Sequence, residues 1–299
     1  MAIDVYQMVT DRIIALLEKG EIPWNRPWTG AGRWAIKHTT GEPYSLLNQL
    51  LLDKPGEYLS FNQCKKEGGR VKKGAKSKVV VFWKMLDKPR LNEDGQAVVN
   101  AEGKPVYDHI PFLQYSNVFH IDDCEGLKPK HYTEISREFD PIEKAEAVIS
   151  NYVRLSGVKF THQHQGRAYY SPTADKVVLP EREQFTGEAG YYATAFHELT
   201  HSTGHETRLN RFTSTSAVFG GDAYSKEELV AELGSATMLH MLGIETDNTI
   251  QNNAAYIQNW IKALKNDKRM IVSAAGKAGK AVDMIMPGMI EMVNSDTAA

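Results

Sequence analysis

Apolar residues recur at helical spacing in several segments of the chain. They predict a first helix over residues 5–17, ended by Gly20 and Pro23, and a short second helix over 46–52. A third helix is predicted from Asp140 to about Leu155, because this N-cap aspartate is followed by a proline at the first helical position and a glutamate at the third. Further stripes with this spacing predict helices around residues 191–201, 224–236 and 254–285.

Short runs rich in β-branched and aromatic residues lie between these helices. They predict strands at residues 79–83, 112–119, 158–164, 167–171 and 176–179. The turn residues within 86–110 predict a polar hairpin or a mobile loop. We therefore expect an α+β protein of two domains, residues 1–128 and 140–299, joined by a linker over 129–139.

One predicted helix carries the string His197-Glu198-Leu199-Thr200-His201, which has the H-E-x-x-H form of zinc-dependent hydrolases. On a helix the two histidines lie at i and i+4, so both rings project from one face and can bind the same ion. Glu198 lies about 100° round the helix from His197, within reach of a metal-bound water. A core helix with two incidental histidines is the plainer alternative, and it is disfavoured because burying these polar groups without partners is costly.

A third protein ligand is needed, because catalytic zinc takes three protein ligands and a water. His205 lies eight residues from His197, about 12 Å along a straight helix, and Thr207 occupies the position where a metzincin would have its third histidine. Glu228 and Glu232 resemble the gluzincin arrangement, in which a glutamate on a following helix is a ligand and an acid four residues later orients a ligand histidine. We predict Glu228 as the ligand and Glu232 as the orienting acid; the reverse assignment, or two solvated carboxylates, are the alternatives.

Such a site predicts metal-dependent hydrolysis, with Zn²⁺ as the expected cofactor and another divalent transition metal such as Mn²⁺ as the alternative. The metal lowers the pKa of a bound water to about 7 and polarises the scissile carbonyl. Glu198 is the expected general base and later proton donor. The sequence leaves the residue that stabilises the oxyanion open among Tyr224, His205, Arg208 and His240.

The charge is unevenly distributed along the 299 residues, whose formal net charge is −2. Residues 54–90 contain 11 Lys and Arg against 3 Asp and Glu, while the part after residue 130 has a balance of −5. Basic residues interleaved with tryptophans are typical of single-stranded nucleic-acid binding, in which cations contact phosphates and aromatic rings stack on bases. A lysine-rich solvated hairpin with its tryptophans in the core is the alternative. The candidate DNA-binding residues are Trp24, Arg26, Trp28, Arg33, Trp34, Lys72, Lys73, Lys76, Lys78, Trp83 and Lys84.

Only two cysteines occur, Cys64 and Cys124, and the N-terminal segment lacks the basic and apolar regions of a secretory leader. No apolar run approaches the roughly 18 residues needed to span a membrane. We therefore expect free thiols, a cytoplasmic location and no membrane partner.

Short motifs distributed over nearly the full length resemble a known family. In the N-terminal half they are 10–14, Pro23-Trp24, Pro27-Trp28, Asn48, 80–84 and Val118-Phe119. In the C-terminal half they are 168–170, Asp175, Leu179-Pro180, 197–205, Arg208-Leu209, Phe219-Gly220, 227–232, Ala255-Tyr256, Trp260 and Lys268-Arg269. Taken together, these motifs resemble those of the ArdC-type antirestriction proteins of conjugative plasmids.

The resemblance implies an N-terminal single-strand-DNA-binding domain of mixed α/β structure and a C-terminal zincin-like, gluzincin-type metallopeptidase domain. It also implies that the protein protects incoming conjugative plasmid DNA from host restriction in the recipient cell. The implied partners are single-stranded DNA, double-stranded DNA with weaker affinity, and a host restriction protein.

Two functions remain open at this stage. The first is a DNA-bound metalloprotease that cleaves a host protein. The second is a DNA-coating protein whose metal site is structural or catalytically idle. DNA mimicry is excluded, because a charge of −5 over the C-terminal half is too dilute for a decoy.

Overall fold

The computed structural model describes residues 3–25, 34–93, 95–131, 140–212, 222–244 and 254–287. In the N-terminal half the first helix lies near the chain start and short helices flank a four-stranded sheet of order β1-β2-β5-β4, with β1 parallel to β2 and the other pairs antiparallel. A two-stranded ribbon, β3-β6, lies beside this sheet. The elements are α1 (Val5–Leu17), β1 (Ala35–Lys37), α2 (Leu46–Leu51), β2 (Gly56–Ser60), α3 (Phe61–Lys66), β3 (Arg70–Val71), β4 (Lys78–Pro89), β5 (Tyr107–His120) and β6 (Cys124–Glu125).

The C-terminal half places a small sheet before four helices, two of which carry the H-E-x-x-H string and the paired glutamates. The sheet has the order β7-β9-β8, with β7 parallel and β8 antiparallel to the central strand. Its elements are α4 (Pro141–Ser156), β7 (Lys159–Gln163), β8 (Tyr169–Ser171), β9 (Lys176–Pro180), α5 (Glu188–Ser202), α6 (Asp222–Leu242), α7 (Ala254–Asn266) and α8 (Met270–Ile285). The predicted α+β class is confirmed.

The signals that predicted α4 act as expected. The Asp140 side chain accepts hydrogen bonds from the backbone N–H groups of Ile142 and Glu143, at 2.7 and 3.3 Å. The helix ends at Gly157, whose φ of 72° is a left-handed conformation that favours glycine. Local chemistry therefore sets both ends of α4.

A long antiparallel hairpin extends from the N-terminal sheet. Strands β4 and β5 pair from Lys78 opposite Val118 to Pro89 opposite Tyr107. The first part of β4 is buried, and from residue 82 onward it is exposed. The hairpin predicted over 86–110 is thus present, but it is less polar than expected, because Leu86, Leu91, Val99, Tyr107 and Ile110 are all exposed.

One hydrophobic core joins the two halves. On the N-terminal side it contains Val9, Ile13 and Leu17 of α1 and Leu47 and Leu50 of α2; on the C-terminal side it contains Leu229 and Leu233 of α6, Ile257, Trp260 and Leu264 of α7, and Ile271 of α8. The hydroxyl of Thr10 adds a hydrogen bond to the backbone carbonyl of Lys268, at 2.8 Å. The helix that carries the paired glutamates is therefore packed in a core to which both halves contribute.

The prediction of one continuous helix over residues 254–285 is wrong in one respect. The structure divides it into α7 and α8 at a turn over residues 267–269. The Asp267 side chain accepts a hydrogen bond from the backbone N–H of Arg269 at 2.9 Å, and its carbonyl accepts one from the N–H of Met270 at 3.0 Å. Asp267 thus supplies a turn that the apolar spacing alone does not reveal.

Within the described residues, no helix has the length and apolar character that a membrane crossing requires.

We predict that Ile13→Ala destabilises the whole described fold rather than the N-terminal half alone. Ile13 is fully buried in the shared core, and removing a buried aliphatic side chain of this size costs about 2–5 kcal/mol. The measurement is urea unfolding followed by far-UV circular dichroism and tryptophan fluorescence. Leu155→Ala is the control: its side chain is 62% exposed, so the change should stay within about 0.5 kcal/mol. Two separate transitions, with only one shifted, would contradict a core shared by both halves.

Candidate metal centre

Helix α5 brings His197 and His201 together on one face. The opposite face packs in the core through the predicted stripe of Tyr192, Ala195, Phe196 and Leu199, all fully buried. The Nε2 atoms of the two histidines lie 3.1 Å apart, and their rings meet edge to face with centroids 4.8 Å apart. The i, i+4 spacing therefore brings the two imidazoles together, as the sequence predicts.

Helix α6 adds a carboxylate to this pair. One oxygen of Glu228 lies 3.5 Å from Nε2 of His197, and the other lies 3.4 Å from Nε2 of His201. Among the described residues, these three form the group of histidine, cysteine and acidic side chains whose geometry suits a metal ion. Ligand atoms that lie about 2.0–2.1 Å from a tetrahedral ion are about 3.3–3.4 Å from each other. The two Nε2 atoms, and the Glu228 oxygen that faces each of them, thus lie at about the separations found between ligands of one divalent metal ion.

The distance between the two helices depends on a glycine. A Cβ atom added to Gly234 of α6 would lie 2.7 Å from both Cγ2 and Oγ1 of Thr200 on α5. The Thr200 hydroxyl donates a hydrogen bond to the carbonyl of Phe196 at 2.7 Å, which holds the side chain in place. Any larger residue at position 234 must displace the Thr200 side chain from this hydrogen bond or move α6 away from α5.

A second carboxylate, which was not predicted from the sequence, lies on the Nδ1 side of the His201 ring. An oxygen of Glu227 is 3.5 Å from Nδ1 of His201. Arg211 donates hydrogen bonds to both oxygens of Glu227, at 2.6 and 3.2 Å, and also to the Thr203 hydroxyl and the Thr200 carbonyl, at 2.6 and 2.8 Å. Arg211 therefore fixes Glu227 to the end of α5. The position of Glu227 next to Glu228 was the available signal.

The charges in this cluster stabilise one another. Burial opposes ionisation of Glu228, but the hydrogen bonds to His197 and His201 outweigh it and bring the pKa of the Glu228 carboxyl well below its usual range. Burial also opposes protonation of His201, and here the carboxylates of Glu227 and Glu228 prevail and raise its pKa to about 10. The site is built to hold positive charge.

Glu198 and Glu232 occupy different surroundings. Glu198 is 8% exposed, and its charge contributes to the raised pKa of His201. The Glu232 carboxyl is not part of the three-residue group. Burial raises its pKa, and the nearby charge of His197 partly opposes this. Glu227 is the carboxylate within 3.5 Å of the second ring nitrogen of His201. The orienting role of Glu232 towards a ligand histidine stays a prediction.

The candidates for oxyanion stabilisation are distributed over the molecule. The guanidinium of Arg208 is almost fully buried in an ion pair with Asp175 and also donates to the carbonyl of Ser202 at 2.8 Å, so it anchors the end of α5. The ring of His240 packs 5.4 Å from that of Trp34, about 18 Å along α6 from Glu228. His205 contacts the Thr207 hydroxyl through Nδ1 at 2.9 Å. The Tyr224 side chain lies outside the described residues.

The predicted DNA-binding tryptophans have separate environments. Trp24 is only 6% exposed and meets Trp260 edge to face in the shared core, with centroids 6.0 Å apart, so its prediction as a base-stacking residue is wrong. Trp34 is half-buried against His240. Trp83 is 55% exposed on the hairpin. Periodicity cannot distinguish these cases, because a tryptophan can serve either a core or a surface.

The predicted basic residues also divide into two groups. Lys78 pairs with Asp53 at 2.5 Å, and Lys72 donates to the carbonyl of Asp122 at 2.7 Å. Lys73, Lys76 and Lys84 are exposed, and in the described ranges no carboxylate pairs with them. Three further candidates, Arg26, Trp28 and Arg33, lie outside the described residues.

Two family profiles match consecutive stretches of the chain. Residues 3–119 match the N-terminal domain of anti-restriction factor ArdC, and residues 143–277 match zincin-like metallopeptidases. The metal-free crystal structure of the antirestriction ArdC protein from R388 plasmid is 34% identical and aligns with a TM-score of 0.71, covering 97% of this chain and 99% of that one. The chain belongs to the ArdC-type antirestriction family. The family resemblance and the two-domain architecture are thus confirmed.

A second structure of that ArdC protein contains Mn(II). It is 32% identical and has a TM-score of 0.70, covering 96% of this chain and 98% of that one. With the two imidazoles and the carboxylate described above, this likeness confirms the predicted cofactor as a divalent metal ion.

Sequence relatives of this ArdC-type chain include longer proteins. Two proteins named DNA primase TraC, both from Escherichia coli, are 33% identical over 94% of this chain, which spans 20% and 27% of their lengths. Protein y4eC of Sinorhizobium fredii (strain NBRC 101917 / NGR234) is 30% identical over 94% of this chain and 91% of its own length. The chain therefore spans about a quarter or less of the TraC relatives and nearly all of y4eC.

We predict that Gly234→Ala weakens divalent-metal binding. The added methyl group overlaps the Thr200 side chain, and we expect α6, which carries Glu228, to move away from α5, so Mn²⁺ affinity measured by titration calorimetry should fall about tenfold or more. Overpacking at this contact should also lower the free energy of unfolding by about 1–3 kcal/mol.

Gly276→Ala is the matched control, since Gly276 also lies in a helix and an added Cβ would meet nothing within 4 Å. This variant should keep the wild-type Mn²⁺ affinity. If Gly234→Ala binds Mn²⁺ as tightly as Gly276→Ala, the spacing between α5 and α6 does not control the centre.

Proposed function

We propose that this ArdC-type chain is a divalent-metal peptidase that acts while bound to DNA, and that it thereby protects plasmid DNA from host restriction. The observation that carries the enzymatic part is the spacing of 3.1, 3.4 and 3.5 Å among the donor atoms of His197, His201 and Glu228, next to the largely buried Glu198. Two imidazoles and one carboxylate leave a fourth position for water, as hydrolytic zinc sites do.

The roles follow from the positions of the side chains. His197, His201 and Glu228 would hold Zn²⁺ or Mn²⁺, and the bound ion would supply Lewis acidity and a water of lowered pKa. The Glu198 carboxylate accepts the proton of the attacking water on an Oε atom and returns it to the nitrogen of the leaving amine. Glu227, held by Arg211, accepts the Nδ1 proton of His201 and so turns Nε2 towards the ion.

The DNA-binding part is supported by the exposed surface of the N-terminal half. Trp83 offers an aromatic face on the hairpin, and Lys73, Lys76 and Lys84 offer positive charge for phosphates. Stacking needs unpaired bases, so this surface favours single-stranded over double-stranded DNA. A host restriction protein is the substrate that best fits an antirestriction role during conjugation.

We predict that Glu198→Gln abolishes proteolysis but leaves metal binding and DNA binding at wild-type level. The amide cannot accept the proton of water, and removing a general base of this kind lowers the rate by about 10²–10⁴-fold or more. The measurements are a restriction-protection assay with transferred plasmid DNA and a cleavage assay on restriction proteins. Glu206→Gln, at an exposed glutamate, is the control. Undiminished protection by Glu198→Gln would favour the alternative, a DNA-coating protein with an idle metal site.

We also predict that replacing Lys73 and Lys76 by Gln weakens single-stranded DNA binding. Neither ammonium has a carboxylate partner in the described residues. A loss of DNA affinity in this variant therefore reports on phosphate contacts rather than on folding. For single strands each lost contact should lower the slope of log K against log salt by about 0.7. A double variant that removes two exposed charges elsewhere, Arg154→Gln with Lys159→Gln, is the control. Equal slopes for the two double variants would exclude Lys73 and Lys76 from the interface.

A further inference from the structure

A cavity of about 200 Å³ lies where α6 meets the turn between α7 and α8. Polar side chains from three elements line it: Lys226 from α6, Asp267 and Arg269 from the turn, and Ser273 and Lys277 from α8. Its volume is well above the roughly 10–15 Å³ that one water occupies by a comparable measure. The cavity is separate from the donor atoms of the candidate metal centre.

The lining carries an excess of positive charge. Its one carboxylate, Asp267, already accepts the Lys226 ammonium at 2.7 Å and the backbone N–H of Arg269 at 2.9 Å. Across the described ranges, Arg269 and Lys277 have no carboxylate partner. Cations gathered around a space of this size, with their single anion engaged, favour an anionic ligand with several acceptor oxygens.

An aromatic path leads from this cavity to the N-terminal half. The guanidinium of Arg269 lies 5.1 Å from the ring centre of Tyr6 on α1. The Tyr6 ring in turn meets Trp83 of the hairpin edge to face, with centroids 6.5 Å apart. Cavity, Arg269, Tyr6 and the exposed Trp83 therefore form one continuous surface across both halves. Alternating cations and aromatic rings suit a strand that presents phosphates and bases in turn.

We propose that this cavity binds a phosphate of single-stranded DNA, so that a bound strand continues from the hairpin onto the peptidase-like half. The inference rests on the DNA binding proposed above and extends it to residues outside the predicted basic segment. An extended polyanion fits better than a small free anion, because the surface continues to Trp83. Lys226 and Glu228 are two residues apart on the same helix, about 200° round its axis, so the strand at the cavity contacts a face of α6 other than the one that carries the metal ligand.

The test is fluorescence anisotropy of a labelled single-stranded oligodeoxythymidylate, titrated with the full chain over a series of salt concentrations. Arg269→Gln with Lys277→Gln should lower the slope of log K against log salt by about 1.4, since neither side chain has a carboxylate partner in the described residues and each contact contributes about 0.7. Binding at one fixed salt concentration should weaken several-fold. Lys277→Gln alone leaves the Lys226–Asp267 pair intact and should lower the slope by about 0.7.

Arg154→Gln with Lys159→Gln is the matched control, because it removes two positive charges from the same half outside the cavity. The melting temperature of each variant reports on folding, and the single variant Lys277→Gln keeps the test valid if the double variant is unstable. A lowered slope for the cavity variants, with the control at wild-type values, supports the proposal.

Three results would overturn the proposed phosphate site. They differ in whether the proposed DNA binding of the chain stands. If the wild type binds DNA and the cavity variants keep its slope, the cavity is not part of the interface, while the proposed DNA binding stands. If the control loses as much as the cavity variants, the effect is one of net charge only. If the wild-type chain does not bind single-stranded DNA, the proposed DNA binding is wrong and this inference falls with it.

Discussion

The close packing of α6 on α5 is the contact on which the candidate metal centre depends. The two histidines are neighbours on one helix, so their separation is set by helical geometry. The carboxylate of Glu228 comes from another helix, and its place is set by how near α6 can approach. Gly234 against Thr200 allows that approach, since any side chain there would clash. A glycine six residues from the ligand thus sets the spacing that a divalent ion requires.

Much of the site could be predicted from the sequence because its information is local. His197, Glu198 and His201 lie within one turn of a helix, and their geometry follows once that helix forms. Glu228 was predicted as the ligand from its likeness to the gluzincin arrangement, with the reverse assignment as the alternative, because both glutamates lie on one face of α6 and only tertiary packing decides which approaches the histidines. Glu227 was missed because its role depends on Arg211, which reaches it from a loop after α5. Contacts of this kind have no periodic signature.

The elements of the fold could be predicted to a similar degree. Helices α1, α2 and α4 and most strands follow from spacing and caps, which are properties of neighbouring residues. The burial of Trp24 against Trp260 could not be predicted, because the two residues are far apart in sequence and meet only in the shared core. The exposed apolar side chains on the hairpin were likewise not predicted, because the turn residues of this segment indicated a polar loop. Tertiary packing decides whether an aromatic ring lies in the core or on the surface.

The shared core has a consequence for how a bound strand would select a target. Since α1 packs on α7 and α8, and α2 packs on α8, in a core that also includes residues of α6, the proposed DNA-binding surface and the metal-binding helix belong to one packed body. A protein cleaved at this centre would then be selected mainly by its position along the bound DNA strand. The amino acids around its scissile bond would contribute less to the selection. Such positional selection suits an enzyme whose targets share a DNA substrate but no common sequence.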